Sequence, residues 1–242
     1  MTATSRPIAL IIGAGDHLGS AIARRFAAEG FHIVATRRRG DLNTLVNDVR
    51  ALGSDATALH SDARDEQQVT ELIEQVEAEL GPISAAIFNV GGNVRFSLTE
   101  TTTRVYRKVW EMGALAGFLA GREAARVMLP RKRGTIIFTG ATASIRGGSG
   151  FSAFASAKFA LRGLAQSMAR ELGPEGIHVA HLIIDSGVDT EFVRERYRAK
   201  GINPDQLPEN TMMHPGSVAE TYWMLHHQPA DAWTHELDLR PA

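Results

Sequence analysis

The chain is predicted to fold as one α/β domain, a doubly wound parallel sheet with helices on both faces. Three observations predict it. Short, almost wholly apolar runs alternate with longer amphipathic stretches along the 242 residues, and strands that apolar belong to parallel sheets covered on both sides. The stretches between them are long enough for right-handed helical crossovers. The first apolar run opens into a glycine-rich turn and then a helical pattern, as at a ligand-binding first βα unit. At 44% hydrophobic residues the chain can fill one sizeable core. No linker interrupts it, so residues 1–242 are taken as a single domain.

Taken in order, "IALII" (8–12) reads as a buried strand and "LGSAIARRFAAEG" (18–30) as a helix stopped by glycine. "FHIVAT" (31–36) is the second strand. "DLNTLVNDVRALG" (41–53) is a helix, with Asp41 as its expected N-cap and Gly53 just past its end. "ATALH" (56–60) is a strand, 65–81 a helix and "SAAIFN" (84–89) a strand. One long helix is expected over about 101–128, then a strand at "GTIIFTG" (134–140), a helix over 152–173 and a strand at "IHVAHLII" (177–184). A helix over 217–228 and a strand over 234–239 end the series. The stretch 190–215 is polar, proline-bearing and weakly periodic, and reads as a substrate lid inserted within the domain.

Composition removes several classes of function. The net charge of −1 gives no electrostatic case for nucleic acid or an anionic membrane, and "LPRKRG" (129–134) is a short solvated basic turn. Cysteine is absent, which excludes disulfides, thiolate zinc sites and cysteine nucleophiles and fits a reducing compartment. The apolar run near the N-terminus is too short for a signal peptide or a membrane span. A cytoplasmic location is expected. His226 and His227 are adjacent on a helix and point apart, so no metal site is expected there.

Gly13, Gly15 and Gly19 lie between the first strand and the first helix in "IIGAGDHLGSAIA". Glycines there let a pyrophosphate approach the backbone, and the helix N-terminus offers free N–H groups. With "HSDARD" (60–65), "NVGG" (89–92), "SGVDT" (186–190) and "SAFASAKFALRG" (152–163), this pattern resembles the single-domain short-chain dehydrogenase/reductase family over nearly the whole chain. The resemblance implies a Rossmann fold and a nicotinamide dinucleotide. It places Gly13, Gly15, His17, Leu18 and Gly19 around the pyrophosphate, with Ile12 replacing the family's threonine and His17 its middle glycine. Asp62 and Ala63 fall at the adenine, Asn89 and Gly91 in the family's N-N-A-G position, and Val188 and Thr190 beside the nicotinamide. Asp185-Ser186 replaces the usual Pro-Gly. A homodimer or homotetramer is implied, paired through the helices of 101–128 and 152–173, whose small residues Ala114, Ala116, Gly117, Ala160, Gly163 and Ala165 would permit close contact.

Cofactor choice has a physical argument of its own. A carboxylate ending the second strand would bind a ribose 2′-hydroxyl and repel a 2′-phosphate. This strand ends instead in Arg37, Arg38 and Arg39, and guanidinium binds phosphate through charge-assisted bonds. NADP(H) is therefore favoured over NAD(H).

The resemblance also implies a proton relay of asparagine, serine, tyrosine and lysine. Lys158 matches the lysine. The tyrosine position holds Phe154, the serine position Ala141 with Thr142 and Ser144 beside it, and the asparagine position Gly113. Dinucleotide-holding groups are kept while proton-moving groups are missing. Two readings stay open: an oxidoreductase acting on a carbonyl or alcohol through a non-standard relay, or an NADP(H)-binding protein without turnover, a sensor or inactive assembly partner. Tyr197 in the lid and Asp185 at the sixth strand's end are candidate replacement donors. Tyr106 is expected before the long helix and Tyr222 on a late one. Ser144 is a candidate orienting hydroxyl. His178 and His181 are expected to pack or reach solvent, and His214 could line the lid. Phe151, Phe154, Ile145, Met212 and Met213 point to a mostly apolar small-molecule substrate.

Overall fold

A computed structural model describes residues 6–242. Residues 1–5, which begin the segment read as lacking a signal peptide, lie outside the described residues. Seven strands form one parallel sheet: β1 (Ile8–Ile12), β2 (His32–Arg37), β3 (Ala56–His60), β4 (Ile83–Phe88), β5 (Gly134–Thr139), β6 (Ile177–Ile184) and β7 (Glu236–Leu239). Their order is β3-β2-β1-β4-β5-β6-β7, every pairing parallel.

The expected two-sided burial is the way the sheet is built. In β1, Ile8, Leu10 and Ile12 enter one core with Val69, Leu72, Ile73 and Val76 of α3 (Glu66–Glu79). The same core holds Leu119 of α5 (Ala116–Met128) and Leu161, Ala165 and Leu172 of α6 (Ser152–Leu172). Ala9 and Ile11 enter the opposite core with Ile22 and Phe26 of α1 (Leu18–Ala28), Leu45 and Val49 of α2 (Asn43–Ala51), and Tyr222 and Leu225 of α8 (Pro215–His226). Alternate side chains of a strand point to opposite faces, so a run with no polar position is what a doubly covered strand needs.

Four expectations need correction. Asp41 is not the N-cap of α2. Leu42 holds that position, and Asp41 Oδ1 accepts from the Asn43 N–H at 3.0 Å. The long helix of 101–128 is two helices, α4 (Thr103–Trp110) and α5, joined by a π turn over Glu111–Leu115. Gly113 lies in that turn, where a Cβ would sit 2.9 Å from Cβ of Ala157 on α6. A glycine pressed onto a neighbouring helix is a weak helical position, and a widened turn absorbs the approach. Tyr106 is therefore inside α4, not before it. Finally, Ala114, Ala116 and Ala165 are buried within this one chain, and a Cβ on Gly117 would collide with Leu161. These small residues let α5 and the π turn pack on α6. Gly163 remains exposed.

The stretch 190–215 contains a helix, α7 (Glu191–Arg198), and a short 3₁₀ turn at Pro204–Gln206. Thr190 starts α7 by accepting from the Val193 N–H at 3.2 Å.

Candidate cofactor and active site

The strand order reverses between β1 and β4, and the crevice beyond their carboxyl ends is where such sheets take ligands. Gly13 has φ +89°, and a Cβ there would stand 2.8 Å from the Asn89 carbonyl oxygen. Gly19 is equally confined, 2.8 Å from the Gly13 oxygen. Nothing approaches Gly15, which leaves the turn open on the crevice side. The Gly13 and Ala14 N–H groups donate to Thr36 O at 3.0 and 2.9 Å, tying the turn to β2. Asn89 ties it to β4: its N–H donates to Ile12 O at 2.8 Å and its Nδ2 to Gly13 O at 3.1 Å. His17 sits at the N-cap of α1 without capping it, and Leu18 turns toward the core. The helix entrance is thus free of side-chain caps, as a phosphate site requires.

At the end of β2, Arg37 Nη1 meets Asp16 Oδ1 at 2.9 Å and Asp41 O at 3.2 Å. Arg38 lies 3.8 Å from Asp62, and Arg39 is exposed. Asp62 is gripped by Arg64 through Nε at 2.9 Å and Nη2 at 2.5 Å, which holds its carboxyl below the usual range. Ser61 Oγ is buried without a partner. Arg37, Arg38, Ser61, Asp62 and Arg64 line a cavity of about 310 Å³ together with Gly13, Gly15, Ala63, Asn89 and Gly91. Asp16, Ser61 and Arg64 were not anticipated. Asp16 stood inside the quoted glycine motif, and nothing in the local pattern tied it to an arginine 21 positions on.

Lys158 is buried on α6. Its Nζ donates to Thr139 O at 2.7 Å and Val90 O at 3.3 Å, and burial lowers its pKa to about 8. Phe154 lies one turn earlier in an apolar cluster with Val109, Ala143, Ala157 and Ala141. Ser144 is wholly buried and its Oγ accepts from the Ala141 N–H at 3.1 Å, so the hydroxyl caps a local turn and does not line the cleft. Tyr222 is sealed in the core against Thr139 Oγ1 at 2.7 Å, and burial raises its pKa. It supports the strand end whose carbonyl holds Lys158, a link the sequence did not reveal.

The other candidates have these surroundings. Asp185 lies 3.5 Å from Arg240 and its N–H donates to Leu239 O. Tyr197 is half-buried on α7. Val188 bridges to Met213, and Thr190 caps α7. His214 caps α8, accepting from the Gly216 N–H at 3.1 Å. Of the two readings for His178 and His181, packing holds. His178 stacks on Trp233 with ring centres 4.9 Å apart. His181 is fully buried, 3.0 Å from Glu236, which is itself forked by Arg162; burial draws the imidazole down to about 4. Among the described residues no group of three His, Asp or Glu side chains could hold a metal ion, and no helix is long and apolar enough to cross a membrane.

Known proteins agree with this geometry. The chain is 49% identical to a short-chain dehydrogenase from Rhodopseudomonas palustris of known structure, over 99% of this chain and 100% of that one, with a TM-score of 0.83. It is 31% identical to the uncharacterized oxidoreductase YuxG of Bacillus subtilis over 90% of its own length, but spans only 33% of that longer protein. An alcohol dehydrogenase from Thermococcus sibiricus, complexed with 5-hydroxy-NADP, shares the fold at 23% identity and a TM-score of 0.83, over 97% and 96% of the two chains. Residues 7–201, from β1 through α7, match the short chain dehydrogenase family, and the chain belongs to that family.

Proposed function

We propose that the protein is an NADP(H)-dependent oxidoreductase, moving a hydride between the nicotinamide and a small carbonyl or alcohol through a proton relay that lacks tyrosine. One observation carries the proposal: the crevice at the sheet's switch point is shaped for a dinucleotide and ends in arginines where an NAD site would carry a carboxylate. The residues present fit the cofactor. Gly13 has no room for a side chain, Gly15 is open, and Ser61 Oγ awaits a partner in the same cavity. When bound, the nicotinamide supplies or accepts the hydride. Arg37 and Arg38 would hold the 2′-phosphate, with Arg37 exchanging Asp16 for it. Asp62 and Ala63 would face the adenine, Val188 and Thr190 the carboxamide, and Lys158 the nicotinamide ribose.

Proton movement is the unusual part. Phe154 has no proton to give, Ala141 no hydroxyl to orient a carbonyl, and Gly113 no side chain to hold a water. Tyr222 is sealed away and Ser144 is engaged in its own turn. Lys158 Nζ, brought down to about 8, holds a proton that exchanges near neutral pH, and it joins Tyr197, Asp185 and water as the donors left to the reaction. General acid catalysis is worth roughly 10²–10⁴ in rate, so turnover of ordinary ketones should be slow. The segment 190–215 serves as the lid. Two copies pair through α4, α5 and α6, which expose Tyr106, Trp110, Phe118 and Phe159 on their outer surfaces; light scattering reporting only a 26.2 kDa species would end that part of the proposal.

Fluorescence titration with NADPH and NADH tests the cofactor, and NADPH consumption with aromatic ketones tests the chemistry. NADPH should bind more tightly, and Arg37→Ala should erase most of the preference. Equal affinities refute the arginine argument. Tight NADPH binding with no turnover on any carbonyl would leave a binding protein in place of an enzyme.

A further inference from the structure

At the cleft's outer end, positive charge has no ion-pair partner among the described residues. The lid helix α7 balances most of its own: Arg194 is forked by Asp189 and reaches Asp205 at 2.6 Å, and Arg198 meets Glu191 at 2.5 Å. Arg196 and Lys200 are treated differently. Among the described residues no carboxylate lies within ion-pair distance of either, nor of Arg95 on the facing segment. Arg95 and Arg196 instead converge on one ring, their guanidinium carbons 6.0 and 5.9 Å from the centre of Phe151, and Arg196 also covers Phe192 at 5.5 Å. Arg95, Phe151, Arg196, Ala199 and Lys200 line a cavity of about 530 Å³ that gathers three cations and no anion.

The arrangement is held in place from below. The stem of Arg95 lies against Gly150, whose φ of +83° and missing Cβ make room for it, and the Phe96 N–H donates to Gly150 O at 2.9 Å. The nearest carboxylate on the Arg95 segment, Glu100, is engaged by Ser97 Oγ at 2.6 Å. Three like charges gathered at one cavity repel one another. Two guanidiniums over an apolar ring form a receptor for an organic anion, the ring meeting its apolar part and the forks its headgroup.

We propose that this cavity selects the substrate: it binds a carboxylate or phosphate headgroup, so that the preferred carbonyl compound is an amphiphilic anion whose apolar spacer lies along Phe151. The word substrate rests on the oxidoreductase reading above; the anion site does not. Phe151 stands seven residues before Lys158 on α6, roughly 10 Å along the axis at 1.5 Å per residue. A headgroup at the arginines and a carbonyl near Lys158 are then bridged by a spacer of about four methylenes, each spanning about 1.3 Å with the headgroup contact making up the rest. The apolar side chains at the cleft form the spacer's surroundings, with charge added at one end.

Calorimetry on the whole protein with NADP⁺ present tests it. The probes are 5-benzoylpentanoate against its methyl ester, and 4-phenylbutyl phosphate against 4-phenylbutanol. At least one anion should bind about tenfold more tightly than its neutral counterpart, the worth of one charge-assisted hydrogen bond, and the tighter of the two names the headgroup. The preference should shrink with added salt, vanish in Arg95→Ala/Arg196→Ala, and survive Lys132→Ala/Arg133→Ala, which removes the same two charges at exposed positions elsewhere. Equal binding of anion and neutral partner, or a preference that survives the double change, overturns the proposal. If the double variant does not fold, Arg196→Gln and Lys200→Ala must each reduce the preference, and a failure of either to do so overturns it equally. Turnover is read separately. Anion preference without reduction of 5-benzoylpentanoate keeps this site and removes the oxidoreductase reading; equal reduction and equal binding of acid and ester do the reverse.

Discussion

Replacing Lys158 by methionine should change the pH dependence of stability in a defined window. The lysine is enclosed on α6 with two carbonyl oxygens for partners, at 2.7 and 3.3 Å, and its pKa falls from 10.5 to about 8 because burial disfavours the ammonium. In the unfolded chain it returns to its ordinary value. Below pH 8 both states hold the proton and the cost of burying it is constant. Between about 8 and 10.5 the unfolded state binds more protons than the folded one, so wild-type stability must rise with pH. Above that both are neutral and the gain is complete. A difference of about 2.5 in pKa corresponds to roughly 3 kcal/mol at 1.36 kcal/mol each. The methionine variant keeps the apolar stem and has no proton to lose. Urea unfolding of both proteins without cofactor, at pH 7, 8, 9 and 10, isolates the lysine because every other titration cancels in the difference. The wild type should gain on the variant by up to about 2.5 kcal/mol from pH 7 to 10, most of the full amount, because the last of it comes only above pH 10.5. A difference independent of pH would mean that Lys158 stays solvated, and the case for a proton exchangeable near neutrality would go with it.

Two further outcomes follow from the cluster around Phe154. Phe154→Tyr should raise NADPH-dependent reduction of aromatic ketones by at most about tenfold, well short of the 10²–10⁴ available to general acid catalysis, and adding Ala141→Ser should give more than the product of the single effects; steady-state NADPH oxidation reads both, and an already fast wild type unaffected by either change would place the proton donor elsewhere. Gly113→Asn should lower stability by about 1–3 kcal/mol through overpacking, because its Cβ would lie 2.9 Å from that of Ala157, and Ala157→Gly should recover part of the loss; a melting temperature unchanged by Gly113→Asn refutes the contact.

The sheet was legible in the sequence because burial on two faces leaves a mark at every position, as in Ile8–Ile12 and Ile177–Ile184. Glycines at 13 and 19 were legible for the same kind of reason, since a close approach forbids any other residue. What stayed hidden depends on partners far apart in the chain. Asp16 meets Arg37 only because β1 and β2 are neighbours. Glu236 joins His181 and Arg162 from positions 55 and 74 away. Tyr222 reaches Thr139 across 83 residues. The π turn was hidden differently: a helical period cannot register one extra residue when the flanking turns remain in phase.

The positions where the family resemblance expects proton-moving groups share a feature that no single substitution displays. Phe154 and Ala141 belong to one apolar cluster with Val109, Ala143 and Ala157, and Gly113 presses on that same Ala157. Each is small or apolar in a way that suits its neighbours. A hydroxyl at 154 would enter an apolar cluster, and a hydroxyl left unpaired there costs about 1–3 kcal/mol. An asparagine at 113 would have to displace the wall itself. Lys158, by contrast, is satisfied by the carbonyls of Thr139 and Val90, which belong to the backbone and survive any change in the cluster. The lysine is therefore anchored independently of the packing of the residues around it. The same argument says that tyrosine at 154 needs Ala141→Ser beside it as a hydrogen-bond partner before it gains much, so the combined variant, more than either single one, measures whether the cleft still has the shape to use a proton relay.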